Sequence, residues 1–260
     1  MMKKVLALAL AALMLFAFAA CGKPAQDPAN DGSNTGSAKT TLTMGTNAAF
    51  APYEFVDDSG KIVGIDAEIA EAIADKLGMK LEIKDLAFDS LITAVSSGSI
   101  DMVLAGMTVT EERKQSVNFT DSYAKGVQSI IVPEGSAIAS ADDLKNAKKI
   151  GVQSGTTGDT YCSDDFGEDK VSKFDNGAVA VQALANGQVD CVVIDNEPAK
   201  QFVKQNSGLK ILDTAYKEED YAAAVAKDNT ELLEKLNGAI AELKAEGKID
   251  EIVGKYIKAE

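Results

Sequence analysis

Arg113 sits in LAGMTVTEERK (104–114), where an apolar run opens into a turn of small residues and then sets one cation among acids. Gly106 would let a ligand approach backbone N–H groups, and Thr108 adds a hydroxyl donor. Thr110 reads as the N-cap of a helix EERKQSV, whose positive end favours an anion. Arg113, one turn in, can fork onto a carboxylate with two parallel hydrogen bonds. The set is an anion receptor, although a solvated helix charge beside Glu111 and Glu112 fits the motif equally. GTTG (155–158), with Thr156 and Thr157, offers similar amides and hydroxyls at another helix start. Asp195 closes the apolar run CVVI, and an acid at the end of a buried strand needs a partner. A primary ammonium would supply it; the competing role is an N-cap for a helix starting near Glu197 and Pro198. A cation facing an anion across a cleft suits a zwitterion, an α-amino acid. Phe50, Tyr53, Phe55 and Phe88 are candidate apolar walls, with core packing as the competing role, above all for Phe55.

The composition narrows the chemistry further. The 260 residues contain no histidine, which excludes imidazole bases, Ser-His triads and His-ligated metals. A formal charge of −14, from 40 acidic against 26 basic side chains, argues against nucleic acid or an anionic membrane surface as ligand. No metal-binding CxxC spacing occurs, and no metal or other cofactor is expected. Cys162 and Cys191 leave both a disulfide and two buried thiols open.

Short β-rich runs that alternate with helical patterns must position these groups, the mark of βα units on parallel sheets. The runs are LTMG (42–45), LEIKDL (81–86), DMVLA (101–105), SIIVP (129–133), KIGV (149–152), CVVID (191–195) and KIL (210–212). A helical stripe runs from Ile65 to Leu77 and is closed by Gly78. Two final helices are expected over 229–246, stopped by Gly247, and over 249–256.

LITAVSSGSIDMVLAG (91–106) aligns without gaps on AVQALANGQVDCVVID (180–195) at an offset of 89. Each copy reads as a helix, a capping glycine (Gly98, Gly187), a polar and a β-branched residue, an aspartate (Asp101, Asp190) and a buried strand. One lobe is thus expected to be built twice. Ligands of open α/β sheets sit outside the carboxyl ends of the strands. This directs attention to 46–50 and 106–113 in one lobe, and to 153–157 and Asp195 in the other.

MMKK followed by the apolar stretch Val5–Ala20 reads as a secretion signal over 1–20. Its FAAC end resembles a bacterial lipoprotein cleavage site with Cys21 as the lipidated residue, although Phe18 stands where leucine is usual. Residues 21–40, rich in Gly, Pro, Ser, Asn and Asp, are expected to be a flexible tether.

Over nearly all of 41–256 the chain resembles the extracytoplasmic solute-binding proteins, family 3, that serve ABC importers of polar amino acids. The resemblance rests on GIDAEIAEAIADKLG (64–78), FDSLITAVSSGSIDMVLAGMTVTEERKQSVNFTDSY (88–123), GVQSGTTGD (151–159) and the terminal LNGAIAELKAEGKIDEIVGKY. It implies an α/β, two-lobed periplasmic-binding-protein-like fold of type II, each lobe a mixed, mostly parallel sheet flanked by helices. Lobe 1 is expected over 41–125 with 221–260 and lobe 2 over 126–220, joined by hinge strands near 123–127 and 218–221. By the resemblance Arg113 clamps the ligand carboxylate, helped by the Gly106 amide, Thr108 and the Thr157 amide. Asp195 receives the ammonium, Phe50 and Phe88 sandwich the side chain, and Thr156 completes the second loop. Similar receptors for cationic amino acids carry aspartate at Asn47 and serine at Ala105, while glutamine receptors carry lysine at Gln153 and histidine at Ile194. The expected ligand is a neutral or small polar amino acid. The chain is then a monomeric, lipid-anchored receptor outside the cytoplasm that delivers its ligand to an ABC permease, and not an enzyme. The alternative is a dehydratase of the same fold acting on prephenate-like substrates, with Asp195 or Glu197 as the acid.

Overall fold

The computed structural model describes Lys39–Lys258. The expected signal segment, the lipidated Cys21 and all but the last two residues of the expected tether lie outside the described residues. The strands are β1 (Thr41–Thr46), β2 (Ala49–Phe50), β3 (Glu54–Val56), β4 (Ile62–Val63), β5 (Lys80–Asp85), β6 (Met102–Val103), β7 (Val117–Phe119), β8 (Ala124–Pro133), β9 (Ile150–Gln153), β10 (Val171–Phe174), β11 (Cys191–Asp195), β12 (Leu209–Ile211), β13 (Lys217–Tyr221) and β14 (Ala224–Ala226). The helices are α1 (Ile65–Lys76), α2 (Leu91–Ser96), α3 (Arg113–Ser116), α4 (Thr157–Phe166), α5 (Gly177–Ala185), α6 (Asn196–Gln205), α7 (Thr230–Ala245) and α8 (Lys248–Tyr256).

Two sheets organise the molecule, in the orders β5-β1-β6-β14-β7 and β10-β9-β11-β8-β12, with β13 also paired to β8. Each sheet has a parallel half built by βα units: β1 lies between β5 and β6, and β9 lies between β10 and β11. The remaining pairs are antiparallel: β8 runs against β11, β12 and β13, and β14 runs against β6 and β7. The fold is therefore a two-lobed α/β architecture with mixed sheets. The chain passes from the first sheet to the second between β7 and β8, and back between β13 and β14. At the crossing, β8 and β13 pair directly, from Lys217 opposite Gln128 to Tyr221 opposite Ala124.

The internal repeat is visible in three dimensions. α2 and α5 end at left-handed glycines, Gly98 (φ 73°) and Gly187 (φ 70°), where a side chain would be strained. The repeated aspartates then do the same work. Asp101 donates its N–H to the Thr43 carbonyl and accepts the Thr43 N–H at 2.7 Å. Asp190 donates to the Lys149 carbonyl and accepts the amides of Lys148 and Lys149 at 2.6 and 3.0 Å. Each aspartate thus fastens the helix-to-strand turn to the start of the neighbouring parallel strand.

The apolar stripe of α1, with Ile65, Ile69 and Ile73 fully buried, packs against α7 and α8. α7 starts at Asn229, whose side chain accepts the Leu232 N–H at 3.2 Å, and stops before Gly247 (φ 69°). Cys162 and Cys191 are both buried and unbridged in the core of the second sheet.

Candidate functional site

The loops that leave β1, β6, β9 and β11 converge on one cavity of about 310 Å³ of atom-free space. The first lobe contributes Asn47, Phe50, Phe88, Ala105, Gly106, Thr108 and Arg113, and the second contributes Gln153, Thr156, Thr157 and Asp195. These eleven residues, all named from sequence, are therefore brought together, whereas the other two candidate walls are not. Tyr53 is buried behind Phe50, and Phe55 packs edge-on against Tyr256 instead of on the cavity. Among the described residues, no group of three His, Cys, Asp or Glu side chains could hold a metal ion.

The anion side is built differently from the expectation in two respects. First, α3 is a single turn, Arg113–Ser116, because Val117 must begin β7 opposite Ala226. Thr110 still caps it, accepting the Arg113 N–H at 3.1 Å, but one turn supplies little dipole. Second, the Gly106 amide is not free for a ligand, since it donates to Asp66 Oδ2 at 2.7 Å.

Thr108 takes its place. It faces Tyr221 across an antiparallel bridge in which Val109 donates to the Asp220 carbonyl and Ala222 to the Met107 carbonyl. In such a pair the central residue's own N–H and C=O point away from the partner strand. The Thr108 carbonyl there accepts Arg113 Nη1 at 2.8 Å, so the Thr108 N–H points to the same side as the guanidinium. The Arg113 guanidinium also lies over the Phe88 ring, 5.4 Å from its centroid, so Phe88 fixes the cation from one face.

Across the cavity, α4 starts at Thr157 with Thr156 as its cap, accepting the Asp159 N–H at 3.3 Å. Thr156 and Thr157 both line the cavity, at the positive end of that helix. Asp195, at the end of β11, occupies the cap position of α6 but makes no capping bond with its side chain. Its carboxylate accepts Gln128 Nε2 at 2.8 Å, while its buried Oδ1 has no partner. The same Gln128 nitrogen donates to Glu219 Oε2 at 3.0 Å, and Glu219 Oε1 is also buried without a partner. Burial first, then the Glu219 charge, raises the Asp195 pKa, with Gln128 opposing.

Glu219 and Glu54 escaped the sequence reading. Glu219 lies in the acidic run KEED, which looks solvated. Alternate burial along β13, where Glu219 and Tyr221 both face inward, is the signal that distinguishes it. Glu54 follows the aromatic residues of APYEF, is 0 % exposed, and lines the cavity. Beside it Asp66, also 0 % exposed, accepts the Tyr123 hydroxyl at 2.6 Å in addition to the Gly106 amide. Burial pushes Asp66 up to about 6 against the pull of those donors, and burial followed by the Asp66 charge raises Glu54 further.

The lobes touch around the cavity. Arg113 Nη2 donates to the Gly155 carbonyl at 3.0 Å, Gln153 Nε2 to Asn47 Oδ1 at 3.0 Å, and Ser154 Oγ to Asp89 Oδ2 at 3.2 Å. Gly155 has φ 74°, and a Cβ there would stand 2.8 Å from Asp89 Cβ, so the approach is open only to glycine. A guanidinium on one side of the cavity and an unpartnered carboxylate oxygen on the other give it the charge pattern of a site for a small dipolar ion.

The chain is 36% identical over 264 residues to a probable histidine-binding protein of Neisseria gonorrhoeae, covering 100% of this chain and 97% of the relative. It is 35% identical to the arginine-binding extracellular protein ArtP of Bacillus subtilis (strain 168), with 100% of each covered. Among solved structures, an ancestral arginine-binding protein bound to arginine superposes with a TM-score of 0.79 at 47% identity, covering 84% of this chain and 99% of that one. An ancestral arginine-binding protein bound to glutamine gives 0.80 at 47%, covering 85% and 99%. Each of these relatives is named as a binding protein for an amino acid. The match to the family of bacterial extracellular solute-binding proteins, family 3, runs over residues 42–259, and the chain belongs to that family.

Proposed function

We propose that the protein captures an α-amino acid between its lobes, residues 41–125 with 221–260 and residues 126–220, and delivers it to an ABC importer in the membrane. The observation that carries this reading is the buried, unpartnered Oδ1 of Asp195 in the same cavity as Arg113. An ammonium on Asp195 and a carboxylate on Arg113, the Thr108 N–H and the Thr157 N–H would satisfy both ends of a zwitterion. Phe50 and Phe88 wall the side chain. Micromolar capture needs about 8 kcal/mol, within reach of one charge-assisted clamp, one ammonium site and aromatic burial.

For the side chain, Asn47 favours a neutral polar group, because it is uncharged and already donates to the Leu86 carbonyl and accepts from Gln153. A second reading, a cationic amino acid such as arginine, is favoured by the buried acid Glu54 on the cavity wall. A thermal-shift screen of the wild type against the twenty amino acids decides between them, since only ligands of the native state raise the midpoint. Glutamine or another neutral polar amino acid should give the largest rise. A response to arginine alone would replace the first reading by the second, and no response at all would remove both. Cleavage before Cys21, with lipid on that residue, would hold the receptor outside the cytoplasm on the tether 21–40.

A further inference from the structure

Glu54 and Asp66 are each fully buried, and both oxygens of Glu54 and Oδ1 of Asp66 lack a hydrogen-bond donor. The Asp66 N–H donates to the carbonyl of Tyr53, the residue before Glu54, at 2.9 Å, which brings the two buried carboxyl groups side by side. Two anions in that contact would have no hydrogen between them, and burying both would be prohibitive. A single proton turns the contact into a short, charge-assisted bond. The donors around the pair decide which group holds it. Asp66 already accepts the Gly106 N–H and the Tyr123 hydroxyl, which stabilise its charge, whereas Glu54 receives nothing. The charges acting on Glu54 are Asp66 on α1, Asp195 at the end of β11 and Asp85 at the end of β5, all negative, and its neighbour Tyr53 is a neutral phenol.

We propose that Glu54 is a positioning residue of the ligand site, held at neutral pH as a carboxylic acid that donates its proton to Asp66 and turns its other oxygen to the cavity as an uncharged acceptor. Through Asp66 it holds the Gly106 turn, which in turn sets the Thr108 N–H and the Arg113 guanidinium. Tyr123, on the same Asp66 oxygen, stands at the crossing into β8, so the turn and the crossing share one carboxylate. The inference rests on the amino-acid reading for its ligand, and accounts for a fully buried acid on the wall of a site otherwise suited to a neutral side chain.

The first test needs no ligand. Infrared difference spectra of the folded protein at pH 7, wild type minus Glu54→Gln, should show a protonated carboxyl C=O stretch that the variant lacks. The second is calorimetric titration of wild type, Glu54→Gln and Glu54→Ala with L-glutamine and with L-arginine. Glutamine at position 54 keeps a donor for Asp66 and an acceptor for the cavity, so its affinity should stay within about threefold of wild type. Alanine, which strands the Asp66 charge, should weaken binding about tenfold or more. Absence of that band from the wild-type-minus-variant difference would overturn the proposal. So would a tenfold loss confined to L-arginine in Glu54→Gln, which would mark Glu54 as an anion paired with a cationic side chain. The infrared result is independent of the wild-type titration, so failure of the amino-acid reading and failure of the protonation are distinguished.

Discussion

Arg113 offers five N–H donors and the protein uses two, on the Thr108 and Gly155 carbonyls, which leaves the rest for a ligand. Removing the side chain takes away the fork and leaves a carboxylate buried opposite unpaired amides. Arg113→Ala should therefore weaken amino-acid binding by about 2–5 kcal/mol in a calorimetric titration, and unchanged affinity would reject the clamp. The residue types at this site were readable in the sequence because their surroundings were incongruous: a cation in a small-residue turn, an acid ending an apolar strand. What stayed hidden were Glu54, Asp66 and Glu219, whose neighbours in sequence look like an ordinary loop, a helix start and a solvated run. Their burial is decided by residues far away, Tyr123 and Gln128 above all, and no local pattern carries that.

At the scale of elements, the 16-residue duplication was legible because helix, capping glycine, aspartate and strand recur in fixed order. The job of the aspartates was not legible, since each binds a strand more than 40 residues away in sequence. Asp190→Ala leaves the amides of Lys148 and Lys149 without their shared acceptor and should lower stability by about 1–2 kcal/mol in urea denaturation, with ligand affinity little changed. The expected seven-residue helix after Thr110 shrank to one turn because β7 claims Val117, a case of sheet pairing overruling local propensity. β10 went unseen because VSKF is half-exposed at the edge of its sheet and carries too few apolar residues for its period to show, and β13, in KEEDY, was expected only through the family resemblance, as a hinge strand.

For the whole molecule, the buried acids set how stability depends on pH. Glu54 and Asp195 are raised by burial and neighbouring acids, and Asp66 is raised by burial to about 6. Unfolded carboxyls titrate near pH 4. Above that value the folded state binds more protons than the unfolded one, so this contribution is complete below about pH 4 and is lost as pH rises through the folded-state values. Glu54→Gln removes one such proton. Between pH 5 and 7 the urea-derived stability of the wild type should fall relative to the variant by up to about 1.4 kcal/mol per pH unit, and parallel curves would contradict it. The two lobes meet through Arg113, which reaches from the first sheet to the Gly155 carbonyl on the second. On the proposed reading, one side chain is in this way both the hand that takes the cargo and the clasp that shuts the case. On that reading, variation at that position could not retune the grip without also changing how long the case stays shut, and selectivity among cargoes would fall to the wall residues.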